Sequence, residues 1–482
     1  MRSVWRPAGA TAAVLLAAVT VSQCAVNPAT GERELSLVGE GQEIQMGRDA
    51  DQQIVASIGL YEDAALQEYV DRIGQRLAAG AERPNLPWTF RVLDDASVNA
   101  FALPGGFVYL TRGILTHLNS EAEVAGILGH EIAHITAKHS VSQISRAQLT
   151  QLGLGLGSIL VPQAAPFAEL AGAGAQLLFL KFGRDDENQA DELGVRYMVQ
   201  EGYAPAELAD VMQMLERASR MGGAQGRLPE WLSTHPDPAN RVGNIIDQIA
   251  EVLGAAEARV VRREEYLRRI DNVVFGANPR EGFFEENVFK HPELRFQMTF
   301  PSGWQTVNQK QAVQGVSPNQ DAAIQLTLAE GSPSQALQRM ASDQNIRILQ
   351  SGQETINGLP AVMARFAAAT QQGTLVGLVA FISHGDLTYQ ILGYGPEQRW
   401  NANERLVSGS IGSFAPLTDP QALAVQPKRL DVVTLSQPMA FSTFLQRYPS
   451  AVEPEVVALI NQMEVGGTFP GGTLAKRVTD GG

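Results

Sequence analysis

The sequence has only one cysteine, Cys24, among its 482 residues. An internal disulfide is therefore excluded, and the folded chain must be held together by packing. Basic residues are also scarce, because 37 Lys and Arg stand against 51 Asp and Glu and leave a net charge of −14. Phosphate backbones bind to basic surfaces, so no nucleic-acid partner is expected. Beyond residue 22 the sequence lacks the roughly 20 consecutive apolar residues of a spanning helix, and we expect the rest of the protein to be soluble.

Residues 1–24 have the pattern of an export signal. Arg2 and Arg6 precede an uncharged, apolar stretch at residues 7–22 that is shorter than a membrane span. Cys24 follows directly, where a bacterial lipoprotein carries its lipidated thiol, although Gln23 stands where the lipobox prefers Gly or Ala. The alternatives are an ordinary signal peptide with an incidental cysteine and an uncleaved anchor. All three would export the protein, and a lipid on Cys24 would tether it to a membrane without spanning it.

The length of the chain predicts two to four domains. Apolar residues with helical periodicity recur at residues 66–77, 121–139, 187–200 and 206–219. Strand-like runs then follow at 294–300, 323–328, 361–367, 374–383 and 387–392, with helices at 334–342 and 397–414. After a linker at 416–427, the pattern becomes strand (430–435), helix (441–448), helix (454–462) and strand (473–478). We therefore expect domains over residues 25–278, 285–415 and 428–480.

The chemistry is concentrated in the run His130-Glu131-Ile132-Ala133-His134. Residues four apart share one face of a helix, so both imidazoles can bind one metal ion at about 2.0–2.1 Å. Glu131 lies beside the first ligand, within reach of a water molecule at that metal. Ser120 and Glu123 form a capping-box pair that favours a helix start here. The run predicts a zinc site, and two surface histidines on an ordinary helix are the alternative.

A catalytic zinc ion needs a third protein ligand and one open position. Glu187 and Asp191 are again four residues apart. On a helix, one carboxylate can bind the metal while the other accepts a hydrogen bond from a ligand imidazole and orients it. The alternative is a solvated acidic helix start, since Asp and Glu are favoured there. Because the two histidines of the HEIAH run precede this pair in the sequence, we interpret Glu187 as the third ligand and Asp191 as the orienting group.

With these motifs the sequence resembles the HtpX- and BepA-like zinc metallopeptidases, which are related to the CAAX prenyl endopeptidases. The resemblance covers roughly residues 25–278. Its motifs are the Cys-Ala-Val-Asn-Pro segment from Cys24, the Asn-Ala-Phe-Ala-Leu-Pro-Gly-Gly segment from Asn99, the HEIAH run, the Glu187 and Asp191 stretch, and Thr-His-Pro around His235 with Arg241 after it. It implies a zincin-like fold and one zinc ion per chain.

The resemblance also implies a role for each residue of the motif. His130, His134 and Glu187 would hold the zinc ion, and Glu131 would be the general base. Zinc would polarise water and the scissile carbonyl, while Glu131 would take the proton of the water and later give it to the leaving amine. A covalent acyl-enzyme is not expected.

Residues 99–110 are interpreted as part of the substrate site. Phe107-Val108-Tyr109-Leu110 reads as a strand after a Pro-Gly-Gly turn, and the resemblance places such a strand at the edge of the cleft, where unpaired backbone groups would bind an extended peptide. An ordinary hairpin turn is the alternative. The predicted substrate residues are Asn99, Phe101, Pro104, Gly105 and Gly106.

His235 stands in a Thr-His-Pro loop, which by itself is usually a capped turn. The resemblance brings this loop close to the zinc ion, where His235 would stabilise an oxyanion or occupy the open metal position in a resting state. Arg241 would orient His235 or an acidic partner. A buried structural histidine is the alternative. The remaining histidines lack partner spacing and are interpreted as surface or structural residues: His117, His139, His291 and His384.

Residues 151–182 are apolar, rich in Gly and interrupted by Pro. Neither half is long enough to span a membrane comfortably. We interpret them as a helix pair over the cleft, such as a lid, rather than as a membrane hairpin.

The C-terminal half has no second catalytic constellation. Residues 285–415 resemble the PsbP/Mog1 type of domain, and residues 428–480 resemble a LysM glycan-binding module. Ser436-Gln437-Pro438 replaces the usual Gly-Asp-Thr turn, so peptidoglycan binding and a structural or protein-docking role both stay open. The expected fold class is α+β: a mostly helical zincin-like peptidase domain with a small edge sheet, an α/β PsbP/Mog1-like domain, and a small βααβ LysM-like unit.

The function that these features favour is a zinc-dependent endopeptidase of the bacterial envelope. It would sit on the periplasmic face of a membrane, with the outer membrane favoured over the inner, and degrade misfolded or misassembled envelope proteins. The rival is a non-proteolytic envelope-binding or chaperone-like protein that keeps zinc for structure. A zinc hydrolase of a non-peptide substrate is a third hypothesis. Glu131 favours the endopeptidase, because a structural zinc site needs no base between its histidines.

Overall fold

The computed structural model describes residues 24–31, 33–153, 181–225, 230–236, 238–252, 259–370 and 373–481. Most of the predicted export signal, residues 1–23, and most of the predicted lid, residues 154–180, lie outside the described residues. The chain divides into two compact units. The first comprises the chain up to residue 55, residues 60–273 and residues 429–479, and the second comprises residues 56–59, 274–428 and the chain from residue 480. In the described part of the chain, no helix is both long and apolar enough to cross a membrane.

The described residues up to 273 are mostly helical, as the apolar periodicity predicted. The strands are β1 (Cys24–Val26), β2 (Arg33–Leu35), β3 (Thr89–Leu93), β4 (Ala100–Leu103) and β5 (Phe107–Thr111). The helices are α1 (Glu40–Ser57), α2 (Ala64–Ala79), α3 (Arg112–His117), α4 (Glu121–Thr136), α5 (His139–Gly153), α6 (Arg184–Gln200), α7 (Ala206–Gln225), α8 (Trp231–Thr234), α9 (Pro238–Val252) and α10 (Arg263–Arg269). This mixture of helices with two small sheets, β1-β2 and β3-β5-β4, confirms the coarse fold class predicted for the peptidase part.

Helix α4 carries the HEIAH run, and all of its 16 residues are buried. The Ser120 hydroxyl accepts a hydrogen bond from the Glu123 N–H at 3.0 Å, as the capping pattern predicted. The Glu123 carboxylate accepts its bond from the Asn119 N–H, at 2.6 Å, rather than from Ser120. The helix ends at Thr136 and not at residue 139, because Lys138 adopts a left-handed φ of 58° that no helix contains. The chain turns there and α5 begins.

Two glycines allow α4 and α6 to approach each other closely. A Cβ atom at Gly129 would lie 3.3 Å from the carbonyl oxygen of Gly194, and one at Gly194 would lie 3.1 Å from the backbone nitrogen of His130. Because neither residue has a side chain, the two backbones are in near contact. This contact sets the acidic residues of α6 opposite the histidines of α4.

The small sheet has the strand order β3-β5-β4, with β5 parallel to β3 and antiparallel to β4. Residues 107–110, predicted to lie at the edge of the cleft, therefore form the central strand, and all five residues of β5 are buried. That prediction is wrong, because a central strand has its backbone groups paired on both sides. Both β3 and β4 are edge strands. The carbonyl oxygen of Val92 in β3 accepts a hydrogen bond from the Tyr61 N–H, whereas no strand among the described residues pairs with the outer edge of β4.

Residues 274–428 make up most of the second unit. The five strands and two helices predicted from the sequence are present with ends shifted by a few residues, whereas the other six of the eleven described strands and the last α-helix were not predicted. The strands are β6 (Phe283–Glu285), β7 (Val288–His291), β8 (Phe296–Thr299), β9 (Gln305–Asn308), β10 (Ala312–Val316), β11 (Ala323–Ala329), β12 (Ile346–Ile356), β13 (Leu359–Thr370), β14 (Gly373–His384), β15 (Leu387–Pro396) and β16 (Ala415–Pro416). A short 3₁₀ helix covers Pro279–Glu281, and the α-helices are α11 (Pro333–Ala341), α12 (Trp400–Gly412) and α13 (Pro420–Ala424).

An antiparallel sheet in the order β12-β13-β14-β15-β11-β10-β9 forms the centre of the second unit. Successive residues of a strand point to opposite faces. Helix α11 packs through Ala336 against the face that contains Phe381, and α12 packs through Trp400 and Val407 against the face that contains Ile382. A smaller sheet has the order β16-β8-β7-β6. The apolar residues on both faces of the main sheet explain why its strands read as nearly continuous apolar runs.

Residues 429–479 return to the first unit. They form β17 (Arg429–Leu435), β18 (Met439–Ala440), α14 (Phe441–Arg447), α15 (Pro454–Ile460), β19 (Thr468–Phe469) and β20 (Thr473–Thr479), with β17 antiparallel to β20. The predicted order of strand, helix, helix and strand is present. Phe441, Phe444 and Val457 lie in a small core within this segment.

A polar, buried contact joins this C-terminal segment to the turn between α3 and α4. Lys476 is fully buried, and its Nζ donates to the carbonyl oxygens of Thr116 at 2.9 Å and Leu118 at 2.7 Å. The Asn119 side chain donates to the carbonyl oxygen of Ile460 at 3.1 Å. The C-terminal segment therefore contacts the residues that lead directly into the HEIAH helix.

Candidate metal centre

Four buried side chains from two helices and one turn converge on a single point. His130 and His134 come from α4, Glu187 comes from α6, and His235 follows α8. One potential ligand atom from each lies within 4.8 Å of the other three. The structure therefore brings together the three predicted ligands and the histidine of the Thr-His-Pro loop.

The distances between the donor atoms fit a small metal ion. Nε2 of His130 lies 3.1 Å from Nε2 of His134 and 3.4 Å from Nδ1 of His235. Oε1 of Glu187 lies 2.9 Å from Nδ1 of His235 and 3.6 Å from Nε2 of His134. Donors around a tetrahedral ion with bonds of 2.0–2.1 Å are about 3.3 Å apart. Imidazole nitrogens with one carboxylate also suit zinc and its neighbours in the first transition row.

Glu131 lies beside this group with one oxygen free. Its Oε1 accepts a hydrogen bond from the Trp231 indole N–H at 3.4 Å and lies 3.7 Å from Nε2 of His235. Its Oε2 is buried and has no hydrogen-bond partner among the described residues. Buried carboxylate oxygens nearly always have partners, so this atom points to a water molecule or ligand in the site.

Asp191 and Arg241 orient the first histidine. Oδ1 of Asp191 lies 3.0 Å from Nδ1 of His130, so Nδ1 carries the proton and Nε2 presents its lone pair to the centre. Arg241 donates to Asp191 from Nε at 2.7 Å and from Nη2 at 2.5 Å. Its Nη1 lies 2.7 Å from Oε2 of Glu187, as an ion pair without hydrogen-bond alignment. The Arg241 guanidinium thus contacts the carboxylates of both Glu187 and Asp191.

The electrostatic surroundings keep these carboxylates ionised. Burial alone would raise the pKa of Asp191, but Arg241 outweighs it and lowers the pKa to about 2. Burial likewise opposes ionisation of Glu187, and the neighbouring His235 and Arg241 lower its pKa overall. Ionised carboxylates are the form that binds metals.

The imidazoles of His134 and His235 differ in the direction of their pKa shifts. Burial, followed by the proximity of His130, lowers the pKa of His134 well below its usual range, which favours the neutral form that metals require. Burial would also lower the pKa of His235, but the carboxylates of Glu187 and Glu131 raise it overall. His235 is therefore more easily converted to a cation than His134 when metal is not bound.

His139 belongs to the site, although the sequence analysis left it without a partner. Its Nδ1 lies 2.8 Å from Nδ1 of His134, and its Nε2 lies 2.8 Å from Oε1 of Gln189. The interpretation failed because it assumed one helix through residue 139. On such a helix, a residue five positions after His134 would point about 140° away from it. The turn at Lys138 returns the side chain to the site.

Two aromatic residues that the sequence analysis did not single out pack against the imidazoles. The Phe182 ring stacks on His134 with 3.9 Å between ring centroids, and the Trp231 ring stacks on His235 at 4.6 Å. The Phe182 N–H donates to the carbonyl oxygen of Thr234 at 3.1 Å, which links the start of α6 to the Thr-His-Pro loop. Single aromatic residues outside a periodic pattern give no sequence signal for such a position.

The beginning of the predicted substrate stretch lies near the site. The Trp231 N–H, next to the base, donates to the carbonyl oxygen of Val98 at 3.4 Å. Asn99 follows and donates from its side chain to Glu230 at 3.4 Å. Phe101 is buried in β4 and stacks on Tyr109 at 4.8 Å. The open edge of β4 therefore begins close to Trp231.

The Pro104-Gly105-Gly106 turn, which was predicted to bind substrate, packs against α1. The Gly105 N–H donates to Oε1 of Glu43 in α1 at 3.2 Å. Both glycines have positive φ, 83° and 109°, and a Cβ atom at Gly105 would lie 2.6 Å from Cα of Ile44. The turn therefore needs glycine because it packs against α1.

Residues 64–249 match the model described as Peptidase family M48. This segment belongs to family M48. It contains every residue of the metal centre, from His130 to Arg241, together with the predicted substrate stretch. The resemblance to the HtpX- and BepA-like metallopeptidases is thereby confirmed for this part of the chain.

Relatives of the M48 segment carry protease names. The "Beta-barrel assembly-enhancing protease" of Yersinia pestis is 34% identical over 212 residues, which is 42% of this chain and 43% of that protein. The "Mitochondrial metalloendopeptidase OMA1" of Schizosaccharomyces pombe is 29% identical over 234 residues, which is 46% of this chain and 66% of that protein. This chain spans about half the length of the Beta-barrel assembly-enhancing proteases that it matches.

A solved structure shows a weak similarity to this chain. Cyanobacterial PsbP from Synechocystis sp. PCC 6803 covers 28% of this chain and 94% of its own length, with 13% identity and a TM-score of 0.24. A TM-score of this size does not establish a shared fold, so the PsbP/Mog1-like and LysM-like assignments stay predictions.

Proposed function

We propose that this protein is a zinc-dependent endopeptidase that degrades misfolded or misassembled proteins of the bacterial envelope. The observation that carries the proposal is Glu131. Its carboxylate is buried beside four convergent metal donors and keeps one oxygen without a partner among the described residues. A structural zinc site has no use for such a group.

The site residues have distinct tasks in this proposal. His130, His134 and Glu187 would hold one zinc ion, which when bound acts as a Lewis acid on water and on the scissile carbonyl. Trp231 holds one oxygen of Glu131 through its indole N–H. The other oxygen of Glu131 takes the proton of the attacking water, and the same carboxyl group then protonates the leaving amine.

His235 defines a resting state. Structural zinc sites have four protein ligands, whereas catalytic sites keep one position open. With His235, the centre has four protein donors. We propose that His235 fills the position needed for catalysis and leaves it when a substrate binds. Because its other nitrogen lies 3.7 Å from Glu131, this movement would release the base as well as the metal position.

Strand addition is the proposed mode of substrate binding. The outer edge of β4 has no strand partner among the described residues, and its first residues adjoin Trp231. An extended peptide on that edge would be held by main-chain hydrogen bonds, which carry little sequence information. Asn99 and Phe101 belong to this surface in the proposal. Weak sequence selectivity suits an enzyme that removes damaged proteins of many kinds.

The proposal includes the setting of the enzyme. Residues 1–24 would act as a lipoprotein signal, Cys24 would be lipidated, and the protein would lie at the periplasmic face of the outer membrane. The peptidase domain would cover residues 25–278, a PsbP/Mog1-like accessory domain 285–415, and a LysM-like peptidoglycan-binding unit 428–480. The basic and apolar start of the chain supports export, and the name of the Yersinia pestis relative, "Beta-barrel assembly-enhancing protease", supports envelope proteins as substrates.

Cleavage of casein by the purified protein and its Glu131→Gln variant tests the function. We expect the variant to keep about one zinc ion per chain and to lose cleavage, because an amide cannot take the proton. Glu192→Gln, the same change at an exposed position of α6, is the matched control and should cleave normally. A chelator should abolish the activity of both active forms.

Two outcomes would contradict the proposal. Cleavage that persists in the Glu131→Gln variant would remove Glu131 from the mechanism. Zinc-loaded wild-type protein that leaves casein intact but prevents aggregation of an unfolded protein would favour the non-proteolytic rival instead.

A further inference from the structure

We propose that His139 and Gln189 are positioning residues that fix the tautomer of His134, so that Nε2 of His134 presents its lone pair to the metal. The inference rests on the metal centre of the proposed function and not on peptide cleavage. Nδ1 of His139 faces Nδ1 of His134, and Nε2 of His139 faces Oε1 of Gln189. The His139 ring also lies 6.2 Å from the Phe182 ring, measured between centroids.

The short distance between the two Nδ1 atoms constrains the protons. At 2.8 Å, one hydrogen bond joins the two nitrogens, so one of them must carry the proton and the other must accept it. If His134 carries it, Nε2 of His134 is free to bind metal. If His139 carries it, a neutral His134 has its proton on Nε2, where it would point at Nε2 of His130, 3.1 Å away, and block the metal position.

Gln189 selects between these two arrangements. Its side-chain oxygen can only accept, so Nε2 of His139, 2.8 Å away, is the donor. A neutral His139 with its proton on Nε2 has an unprotonated Nδ1, which accepts the proton of Nδ1 of His134. The order of donors from His134 through His139 to Gln189 therefore leaves the metal-facing nitrogen of His134 unprotonated.

The two histidines of the HEIAH run are thus oriented by different chemistry. His130 has a carboxylate partner, Asp191, which is itself held by Arg241. His134 has a relay made of an imidazole and an amide, and Oδ1 of Asp186 lies 3.9 Å from Nε2 of His139, on the same side as Gln189. His139 is only 4% exposed, so water does not readily replace it as the acceptor. Outer partners of this kind typically change metal affinity by about 10–100-fold when they are lost.

The test uses two matched pairs of variants in the full chain. His139→Leu removes the acceptor. In His139→Asn, the asparagine side chain has the same branching as leucine and places an oxygen close to the position of Nδ1. Gln189→Met removes the outer acceptor, whereas Gln189→Glu keeps one. For each protein we would measure the zinc dissociation constant by competition with a chelator, the visible absorption of the cobalt form, and the melting temperature without metal.

The inference predicts that His139→Leu weakens zinc binding about 10–100-fold and changes the cobalt spectrum. His139→Asn should recover most of the affinity and the wild-type spectrum. Gln189→Met should weaken zinc binding less than His139→Leu does, and Gln189→Glu should bind as tightly as the wild type.

Equal zinc affinities for the His139→Leu and His139→Asn variants would overturn the inference. Tight binding by both would show that His139 has no role in zinc binding, and weak binding by both would show that His139 acts only through packing. Should His139→Leu fail to fold, the Gln189 pair decides, and equal affinities of Gln189→Met and Gln189→Glu would overturn the relay. Casein cleavage separates the two proposals. If the paired variants bind zinc equally and the wild type cleaves casein normally, this inference alone fails. If the paired variants differ in zinc affinity as predicted but the wild type does not cleave casein, the proposed function alone fails.

Discussion

Arg241 is the residue whose removal should change the zinc-free protein most. Its side chain is 3% exposed and makes two hydrogen bonds to Asp191 and an ion pair with Glu187. Its guanidinium also lies 4.9 Å from the ring centroid of Trp231. The substitution Arg241→Met keeps most of the length and apolar stem of the side chain and removes only the charged group.

The expected loss follows from burial. Removing one partner of a buried ion pair costs about 3–5 kcal/mol, because the remaining charge is left without compensation. Here two carboxylates lose the same cation, so we expect the upper part of that range at pH 7. The deficit should shrink as the pH falls toward 3. Wild-type Asp191, with its pKa lowered to about 2, loses its stabilising ion pair only on acidification, whereas the variant has no such stabilisation to lose.

Urea unfolding of the zinc-free proteins, followed by circular dichroism, measures this difference. Arg268→Met is the matched control, since Arg268 pairs with Glu264 in the same unit with both side chains mostly exposed, and it should cost less than about 1 kcal/mol. Arg241→Lys keeps the charge without the paired hydrogen bonds and should fall between the two. If Arg241→Met is no less stable than Arg268→Met, the guanidinium does not hold the carboxylates of the site as described.

Three further changes test other contacts of the first unit. Lys476→Met should lower the free energy of unfolding in urea by about 2–4 kcal/mol, because two buried hydrogen bonds to main-chain carbonyls are lost and the carbonyls are left without this donor; wild-type stability would show that the contact with the α3–α4 turn contributes nothing. Burial, and the nearby Lys476, lower the pKa of His117 to about 4, so between pH 6.5 and that value only the unfolded chain takes up its proton and stability falls on acidification. His117→Asn should reduce this slope by up to about 1.4 kcal/mol per pH unit, and parallel pH profiles would contradict the burial effect. Gly194→Val should weaken zinc binding at least about tenfold, since its side chain would separate α6 from His130, whereas Gly243→Val, at an open helix position, should bind zinc normally; equal affinities would show that the helix contact does not set the site.

Local sequence was sufficient for the helices and strands that have a strong periodic or apolar pattern. The apolar periodicity of α4 and the capping hydroxyl of Ser120 are properties of neighbouring residues, and the helix begins where they predict. The same holds for β13 and β14, whose apolar runs are long. The pairs His130 with His134 and Glu187 with Asp191 were also visible, because a spacing of four places both members on one helix face. Each of these signals depends on contacts within a few residues.

Tertiary structure alone decided how those pairs meet and what surrounds them. Contact between Gly129 and Gly194 brings α4 and α6 together, and the turn at Lys138 returns His139 to His134. The same is true of the central position of β5 and of the burial of Lys476 at the start of the HEIAH helix. These features join residues far apart in the chain or depend on a single backbone angle, so they leave no periodic trace in the sequence. The sequence by itself determined the chemistry of the donors, whereas their assembly into one buried centre was decided by packing between helices.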